Sequence, residues 1–356
     1  MTPVRPRAAV ERMRPYSPPL EGRREFLRLD FNENTRGAPP EVSAIIAELV
    51  RSGEISMYPE YQDLRERLAR RWALQPDELL PTNASDDGIH LVLDCFVDAD
   101  EEVVIPVPTF AMFRFYAELR GARVTEVLYE PDLSFPTERV LAALERKPRV
   151  LVLVSPNNPT GTEIAPHNLV KVLDAAPDTL VLLDEAYWHF AGRSVLPMVQ
   201  ERGNLVVLHS FSKAMGLAGL RFGYLAAGRP IMKYLERAAS PYAVNTVAAA
   251  CATKLLESDE WPRNYAAEVR EARDVLVDGL TDLGVACYPG VANFVLARLD
   301  ERAAGVCAGL RERGILVRDR STDPLLEGCV RLGVGTVAET RRLCGAIAEV
   351  LAEVAS

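Results

Sequence analysis

Three apolar runs in the middle of the chain each end in polar side chains. They cover residues 149–155, 179–183 and 204–213. Runs that are apolar throughout are typical of strands in a sheet that helices cover on both faces. The first run leads into Asn158, the second into Asp184, and the third ends at Lys213. Ligands of open parallel sheets bind beyond the carboxyl ends of the strands, so we expect these three residues to face one crevice.

The surrounding pattern predicts an α/β fold with a mostly parallel sheet covered by helices on both faces. Further apolar runs lie at residues 103–105, 124–128 and 224–226, and helical patterns alternate with them. We expect a large domain over residues 41–260. The Pro-rich residues 1–40 should form an N-terminal arm, and residues 261–356 a smaller α+β domain with strands near 293–299 and 330–334.

Composition narrows the classes of partner. The net charge of -9 argues against nucleic acid and anionic membranes as partners, because both need clustered positive charge. No apolar run approaches the ~20 residues that span a bilayer. The six cysteines are scattered without a Cys-x-x-Cys pair, so we expect free thiols and a cytoplasmic location. The four histidines lack metal-ligand spacing, so we expect no metal site.

The groups around Lys213 suit a phosphorylated carbonyl compound. Ser210 and Arg221 flank the lysine and could hold a phosphate while its amine adds to the carbonyl. Asp184 could pair with a protonated ring nitrogen. Taken singly, a lysine after a strand is usually a solvated loop residue, and an aspartate there can cap a helix. Their joint appearance at strand ends favours a pyridoxal phosphate site.

Other residues could complete this site. Asn158 and Tyr187 are suited to contact the phenolic oxygen of a pyridoxal ring, and Phe110 could stack on its face. Burial beside cations would lower the pKa of the Lys213 amine and free it to react.

A helix start near residue 85 offers an anion site. Ser85 is a plausible N-cap, and the free N–H groups of a helix start favour a phosphate. Asp86 and Asp87 suit the helix dipole but would repel a phosphate. We therefore expect these carboxylates to point away, or one of them to be held by another donor.

Together these motifs resemble those of fold-type I aminotransferases that depend on pyridoxal 5'-phosphate, and most closely the histidinol-phosphate aminotransferase family. The resemblance covers nearly the whole chain. Its motifs are Asn32-Glu33-Asn34, Met57-Tyr58-Pro59-Glu60, Ala84-Ser85-Asp86, residues 155–161, Asp184 to Tyr187, Ser210 to Lys213, residues 219–223, Ala292-Asn293-Phe294 and Val330-Arg331-Leu332.

The resemblance implies a role for each matching residue. Lys213 would bond to the cofactor and move the substrate proton, with Asp184 at the ring nitrogen and Asn158 and Tyr187 at the phenolic oxygen. The phosphate site would comprise Ala84, Ser85, Asp86, Ser210 and Arg221.

The resemblance also implies substrate residues and a partner chain. Arg331 matches the arginine that clamps the substrate α-carboxylate, and Arg318 matches one that binds the far end of the substrate. Asn32 would lie beside the substrate. Tyr58 matches a tyrosine that reaches the cofactor phosphate of a neighbouring subunit, which implies a homodimer, and we expect it at the substrate as well.

The expected reaction is transfer of an amino group between glutamate or 2-oxoglutarate and a second small molecule, with histidinol phosphate and imidazole acetol phosphate as the first choice. An aromatic or specialised-pathway aminotransferase would share the same cofactor motifs. A decarboxylase of a phosphorylated amino acid would share them too. A pyridoxal-phosphate-sensing regulator is disfavoured by the acidic charge and the lack of a DNA-binding extension.

Overall fold

The strands form two main sheets and one short pair. The computed structural model describes residues 4–15 and 21–354. In chain order the strands are β1 (Leu27–Arg28), β2 (Leu79–Thr82), β3 (Glu102–Val107), β4 (Arg123–Leu128), β5 (Val150–Val154), β6 (Leu180–Asp184), β7 (Leu205–Ser210), β8 (Gly223–Ala227), β9 (Cys287–Tyr288), β10 (Phe294–Arg298), β11 (Ile315–Leu316), β12 (Arg318–Asp319) and β13 (Cys329–Gly333).

Helices separate most of these strands. They are α1 (Ala8–Arg12), α2 (Glu41–Ser52), α3 (Gln62–Trp72), α4 (Ala84–Phe96), α5 (Met112–Arg120), α6 (Thr137–Leu144), α7 (Pro166–Ala175), α8 (Trp188–Ala191), α9 (Arg229–Ala238), α10 (Thr246–Leu255), α11 (Glu260–Asp282), α12 (Ala303–Glu312) and α13 (Val337–Val354). Single turns of 3₁₀ helix lie at Glu54–Ser56, Pro76–Glu78, Leu196–Gln200, Ala218–Leu220 and Asp300–Arg302. Over residues 4–15 and 21–354, no helix has both the length and the apolar character to cross a bilayer.

The larger sheet has seven strands in the order β2-β8-β7-β6-β5-β3-β4. Neighbours from β7 to β4 run parallel, whereas β8 is antiparallel to both β7 and β2. The prediction of a mostly parallel sheet is therefore confirmed. Because β5, β6 and β7 are adjacent and parallel, their carboxyl ends lie side by side at one edge.

Strand β5 shows why these runs are apolar at every position. Leu151 and Leu153 belong to a core that helices α2, α3, α6, α7 and α10 help to build. Val150, Val152 and Val154 belong to a second core on the opposite face, built with α4, α5 and α9. Alternate residues of a strand point to opposite faces, so covering both faces requires apolar side chains throughout. The predicted helical cover on both faces is confirmed.

A smaller antiparallel sheet has the order β12-β13-β10-β9 and a separate core with α11, α12 and α13. The two predicted strands near 293–299 and 330–334 correspond to β10 and β13. Helix α10 packs in the core of the large sheet, whereas α11 packs in the core of the small one. The predicted limits also take in residues 1–3, 16–20 and 355–356, which lie outside the described residues.

Two contacts connect other parts of the chain to the smaller unit. Strand β1 pairs in parallel with β11, so the N-terminal segment is tied to the smaller unit. In addition, a Cβ on Gly161 would lie 2.8 Å from the Cα of Gly290, and the φ of Gly161 is +72°. Only glycine fits both the left-handed backbone and the close approach. The loop that carries Asn158 is therefore packed directly against the smaller unit.

Candidate active site

The carboxyl ends of β5, β6 and β7 open into a cavity of about 580 Å³. Asn158 follows β5, Asp184 ends β6 and Lys213 follows β7, and all three line this cavity. The expectation that they face one crevice is confirmed. The strand order β7-β6-β5 places Asp184 between the other two.

Most of the residues predicted for the site line the same cavity. Those brought together are Asn32, Ala84, Ser85, Asp86, Phe110, Asn158, Asp184, Tyr187, Ser210, Lys213, Arg221, Arg318 and Arg331. Tyr58 does not join them. Its side chain is exposed on the surface, where its ring stacks on Tyr242 with the centroids 4.4 Å apart.

Asp184 is a buried carboxylate with few partners. Its Oδ1 accepts a hydrogen bond of 2.7 Å from the Ala186 N–H. Within the described residues, no lysine, arginine or histidine forms an ion pair with it. Loss of solvation raises the pKa of Asp184 to about 7. A cation placed against this carboxylate would offset the cost of its burial.

Lys213 reaches across to the N-terminal segment. Its Nζ donates to the Phe31 carbonyl at 3.0 Å and lies 5.6 Å from the ring centroid of Tyr187. The Tyr187 hydroxyl in turn accepts from Nδ2 of Asn32 at 2.9 Å. The φ of Asn32 is 56°, a left-handed conformation that asparagine tolerates better than most residues. Residues 31 and 32 therefore bridge the lysine and the tyrosine.

The start of α4 forms another part of the cavity wall. Gly223 allows the first turn of α4 to pack closely against β8, because a Cβ at this position would lie 2.8 Å from the Ser85 nitrogen. Ser210 and Arg221 border the same part. Arg221 donates from Nη2 to Asp86 at 2.9 Å, so one of the two acidic side chains is held by another donor, as expected. Free N–H groups, hydroxyls and a guanidinium make this part an anion site.

The prediction that Ser85 caps α4 is wrong. The helix begins at Ala84, and Asn83 is the N-cap residue. Oδ2 of Asp87 accepts from the Asn83 N–H at 2.9 Å, which closes the first turn with a carboxylate. Ser85 lies inside that turn and borders the cavity.

Arg331 is a buried guanidinium at the substrate end. Its Nη1 donates to Oδ1 of Asn158, its Nη2 to the Asp30 carbonyl, and its Nε has no hydrogen-bond partner in the part of the chain that is described. Burial lowers the pKa of Arg331 to about 10. No carboxylate in residues 4–15 and 21–354 forms an ion pair with Arg331. An incoming carboxylate or phosphate would meet a guanidinium that is not already neutralised.

Three charged residues that had no predicted role in the site also line the cavity. Arg23 donates to Asp30 at 2.6 Å and to Glu33 at 3.0 Å, and it covers the ring of Phe31 at 4.0 Å. Glu33 and Arg320 are the other two. No local pattern indicates Arg23, but strand alternation after Arg318 would have pointed to Arg320.

The cavity fits pyridoxal 5'-phosphate. Its phosphate needs an anion site, its ring nitrogen a carboxylate, and its carbonyl an amine. The start of α4 with Arg221, the buried Asp184 and the amine of Lys213 provide these in one cavity. The burial cost of an otherwise unneutralised Asp184 favours a ligand with a cationic ring nitrogen.

Comparisons with known proteins agree with this geometry. Residues 24–347 match the family model "Aminotransferase class I and II". A histidinol-phosphate aminotransferase of Caldanaerobacter subterraneus subsp. tengcongensis is 37% identical over 328 residues, which cover 91% of this chain and 93% of that protein.

Two solved structures share the fold. A histidinol-phosphate aminotransferase of Sinorhizobium meliloti in complex with pyridoxal 5'-phosphate superposes with a TM-score of 0.90 at 26% identity, covering 98% of each chain. An L-threonine-O-3-phosphate decarboxylase of Porphyromonas gingivalis gives 0.78 at 26% identity, covering 91% of this chain and 99% of that one.

This chain belongs to the class I and II aminotransferase family, in its histidinol-phosphate aminotransferase branch. It is an enzyme with pyridoxal 5'-phosphate as cofactor.

Proposed function

We propose that the chain transfers an amino group between glutamate and imidazole acetol phosphate, with histidinol phosphate and 2-oxoglutarate as the products. The observation that carries this choice is the group of arginines at the substrate end, where Arg331 has no carboxylate partner within the described residues. The names of the relatives support the same substrate. Both amino compounds carry an anion that such arginines could bind.

Four residues would serve the cofactor. When bound, pyridoxal phosphate supplies an electron sink for negative charge on the substrate α-carbon. Asp184 would hold a proton on the ring nitrogen through its buried carboxylate. Tyr187, held by Asn32 at 2.9 Å, and Asn158 would donate to the phenolic oxygen.

Lys213 would carry out the proton transfers. Its amine lies in the cavity and is held by the Phe31 carbonyl at 3.0 Å, so a small movement would release it towards a substrate. A positioned amine can take a proton from the α-carbon and return it to the cofactor side. Phe110, on the cavity wall, would cover the face of the ring.

The phosphate of the cofactor would sit at the start of α4. Ala84 and Ser85 lie in the first turn of that helix, and Ser210 and Arg221 border it. Asp86 would act indirectly, by orienting Arg221 through their 2.9 Å hydrogen bond. The net result is an anion site with its guanidinium fixed in place.

Arg331 and Arg318 would bind the two ends of the substrate. Arg331 is fixed by Asn158 and by the Asp30 carbonyl, which suits a clamp for a carboxylate. Glutamate has two carboxylates, whereas histidinol phosphate has a phosphate and no carboxylate. The same guanidinium groups would therefore serve different anions in the two half-reactions.

We infer a homodimer in which Tyr58 enters the neighbouring site. Tyr58 is 76% exposed and stacks on Tyr242, and further exposed apolar side chains lie just before it in the chain. The residues before it are Val50, Ile55 and Met57. Exposed apolar patches of this kind favour association. Mixing inactive Lys213 and Tyr58 variants should restore some activity, and full activity in a strictly monomeric preparation would contradict the shared site.

We also propose the domain limits and location expected from the sequence. The packing of α10 with the large sheet and of α11 with the small one supports a boundary near residue 260. The pairing of β1 with β11 supports grouping the arm with residues 261–356. The six cysteines are free thiols, which supports a reducing compartment such as the cytoplasm.

A panel of acceptors tests the proposed reaction. Purified enzyme loaded with cofactor and supplied with glutamate should convert imidazole acetol phosphate with a higher kcat/KM than phenylpyruvate. A preference for phenylpyruvate would favour an aromatic aminotransferase. Release of CO₂ from threonine phosphate without amino transfer would instead favour a decarboxylase.

A further inference from the structure

The smaller sheet places three arginines on one side of the cavity. Arg318 in β12 lies directly opposite Arg331 in β13, and opposite residues of an antiparallel pair project to the same face. The Arg320 N–H donates to the Cys329 carbonyl at 2.9 Å, so the ladder continues past β12. Residues two apart on a strand share a face, which brings Arg320 beside Arg318. All three side chains line the cavity.

This arrangement is electrostatically unbalanced. Like charges on opposed strand residues destabilise a sheet. In the part of the chain that is described, neither Arg318 nor Arg331 forms an ion pair with a carboxylate, whereas Arg320 pairs with Asp323. Within the smaller sheet and its following turn, three guanidinium groups therefore face one carboxylate, which leaves an excess of two positive charges among these four side chains.

The pairing of Arg320 with Asp323 is local and incomplete. Asp323 lies on the turn that follows, where its N–H donates to the Arg320 carbonyl at 2.9 Å. The two side chains are 15% and 23% exposed. The Nε of Arg320 is buried and has no hydrogen-bond partner among residues 4–15 and 21–354. Arg320 thus keeps a buried donor for a second anion, while the competing carboxylate stays within reach on the same turn.

We propose that Arg320 is a third anion-binding residue for the substrate, and that Asp323 is its internal counterion, displaced when a phosphate-bearing substrate enters. This inference rests on the proposed function. A phosphate monoester carries a charge of about -1.5 to -2 at pH 7, which matches the excess of two positive charges better than a single carboxylate does. The pair of Arg320 and Asp323 therefore selects substrates with a phosphate tail.

Binding of two unreactive ligands to the loaded enzyme tests this. Imidazolylpropyl phosphate has the phosphate tail but no amino group, and imidazolylpropyl alcohol has neither. Calorimetry should show that Arg320→Gln raises the Kd of the phosphate about tenfold or more, as expected for a lost charge-assisted hydrogen bond. The Kd of the alcohol should stay unchanged. Asp323→Asn should lower the Kd of the phosphate several-fold.

Two further variants serve as controls for the loss of charge and for the geometry of the guanidinium. Arg341→Gln removes the same charge from the exposed face of α13 and should leave both ligands unaffected. Arg320→Lys keeps the charge without the planar fork and should bind the phosphate with intermediate affinity. The visible band of the cofactor and the Tm report whether each variant is intact. If Arg320→Gln is not intact, the affinity of Arg320→Lys for the phosphate tests the role of Arg320 instead.

The outcomes separate this proposal from the proposed function. If the unaltered enzyme binds the phosphate no more tightly than the alcohol, the substrate class itself is wrong. If it prefers the phosphate and Arg320→Gln keeps that preference, only the role of Arg320 is overturned. Weaker phosphate binding in Asp323→Asn would overturn the role of Asp323 as a displaced counterion.

Discussion

The two ends of the cavity are built in different ways. The cofactor end takes Asn158, Asp184 and Lys213 from the ends of three neighbouring parallel strands. The substrate end combines the N-terminal segment with Arg318 and Arg331 from the smaller sheet. The first set is held by one rigid sheet, whereas the second is assembled from distant parts of the chain. The substrate end is therefore the place where relatives on the same fold can differ.

The two ends also carry opposite unbalanced charges. Asp184 is a buried carboxylate whose pKa is raised to about 7 by loss of solvation. Arg331 is a buried guanidinium whose pKa is lowered to about 10 for the same reason. Each charge is costly until a ligand of opposite sign arrives. At the cofactor end the Asp184 carboxylate would thus be stabilised by a cation, and at the substrate end the Arg331 guanidinium would be stabilised by an anion.

The largest expected effect is at the cofactor end. Lys213→Ala should lower amino transfer roughly a thousandfold or more, because a positioned general base is lost. The protein should stay folded and still bind cofactor, since the α4 site is intact. Single-turnover absorbance with histidinol phosphate measures this. Lys233→Ala, on the exposed face of α9, is the matched control, and normal turnover in Lys213→Ala would refute the assignment.

Asp184→Asn should cause the second-largest loss of activity. The variant should retain the cofactor but lose about a hundredfold or more in kcat, as for other buried electrostatic partners of a reaction centre. Steady-state kinetics with glutamate as donor gives the ratio. Asp278→Asn on the exposed face of α11 controls for loss of a carboxylate. Near-normal rates in Asp184→Asn would mean that this aspartate has only a structural role.

The substrate end should respond more selectively. Arg318→Gln should lower kcat/KM about tenfold for substrates with an anionic tail, through loss of one charge-assisted contact. Substrates with an uncharged tail, such as phenylpyruvate, should be almost unaffected. An equal loss for both types would remove the distinction between the two ends. The histidinol-phosphate assignment would be ruled out if the unaltered enzyme prefers phenylpyruvate and Arg318→Gln leaves kcat/KM nearly unchanged for both kinds of substrate.

The smallest expected effect is on stability. Without cofactor, Asp184 titrates near pH 7 when folded and near its usual 3.8 when unfolded. Between these values the folded protein binds more protons, so the free energy of unfolding falls as pH rises. Asp184→Asn removes the carboxylate that causes this loss of stability. The Tm of the variant should therefore exceed that of the unaltered protein by more at pH 8 than at pH 5. Bound cofactor should abolish the difference, and a pH-independent difference in cofactor-free protein would contradict the raised pKa.

The site residues that follow directly from strand order are the ones that the sequence predicts best. Asp184 and Lys213 could be predicted because an apolar run marks each strand and its end marks the site. The predicted cap of α4 was wrong because the choice between Ser85 and Asn83 as the N-cap residue depends on local backbone geometry. Several residues near a helix start can take the cap position, and the folded backbone decides which of them does.

Arg23 could not be found in this way, and Arg320 could be found only by extending strand alternation beyond Arg318. Arg23 acts through Asp30 and Glu33, and no periodic pattern links them to the site. Strands β1, β11 and β12 have two residues each, too short for propensity to reveal. Strand β1 pairs with β11, which is distant in the sequence, and such a pairing depends on tertiary packing rather than on a local sequence pattern.

The most direct test is to trap the cofactor on its lysine. The chain contains five lysines, and Lys213 is the one that lines the cavity, whereas Lys147, Lys171, Lys233 and Lys254 are exposed. Borohydride reduction of the loaded enzyme, followed by peptide mass spectrometry, should find the added cofactor mass on the peptide that contains Lys213 and nowhere else. Cofactor trapped on any of the other four lysines, with Lys213 unmodified, would contradict the account.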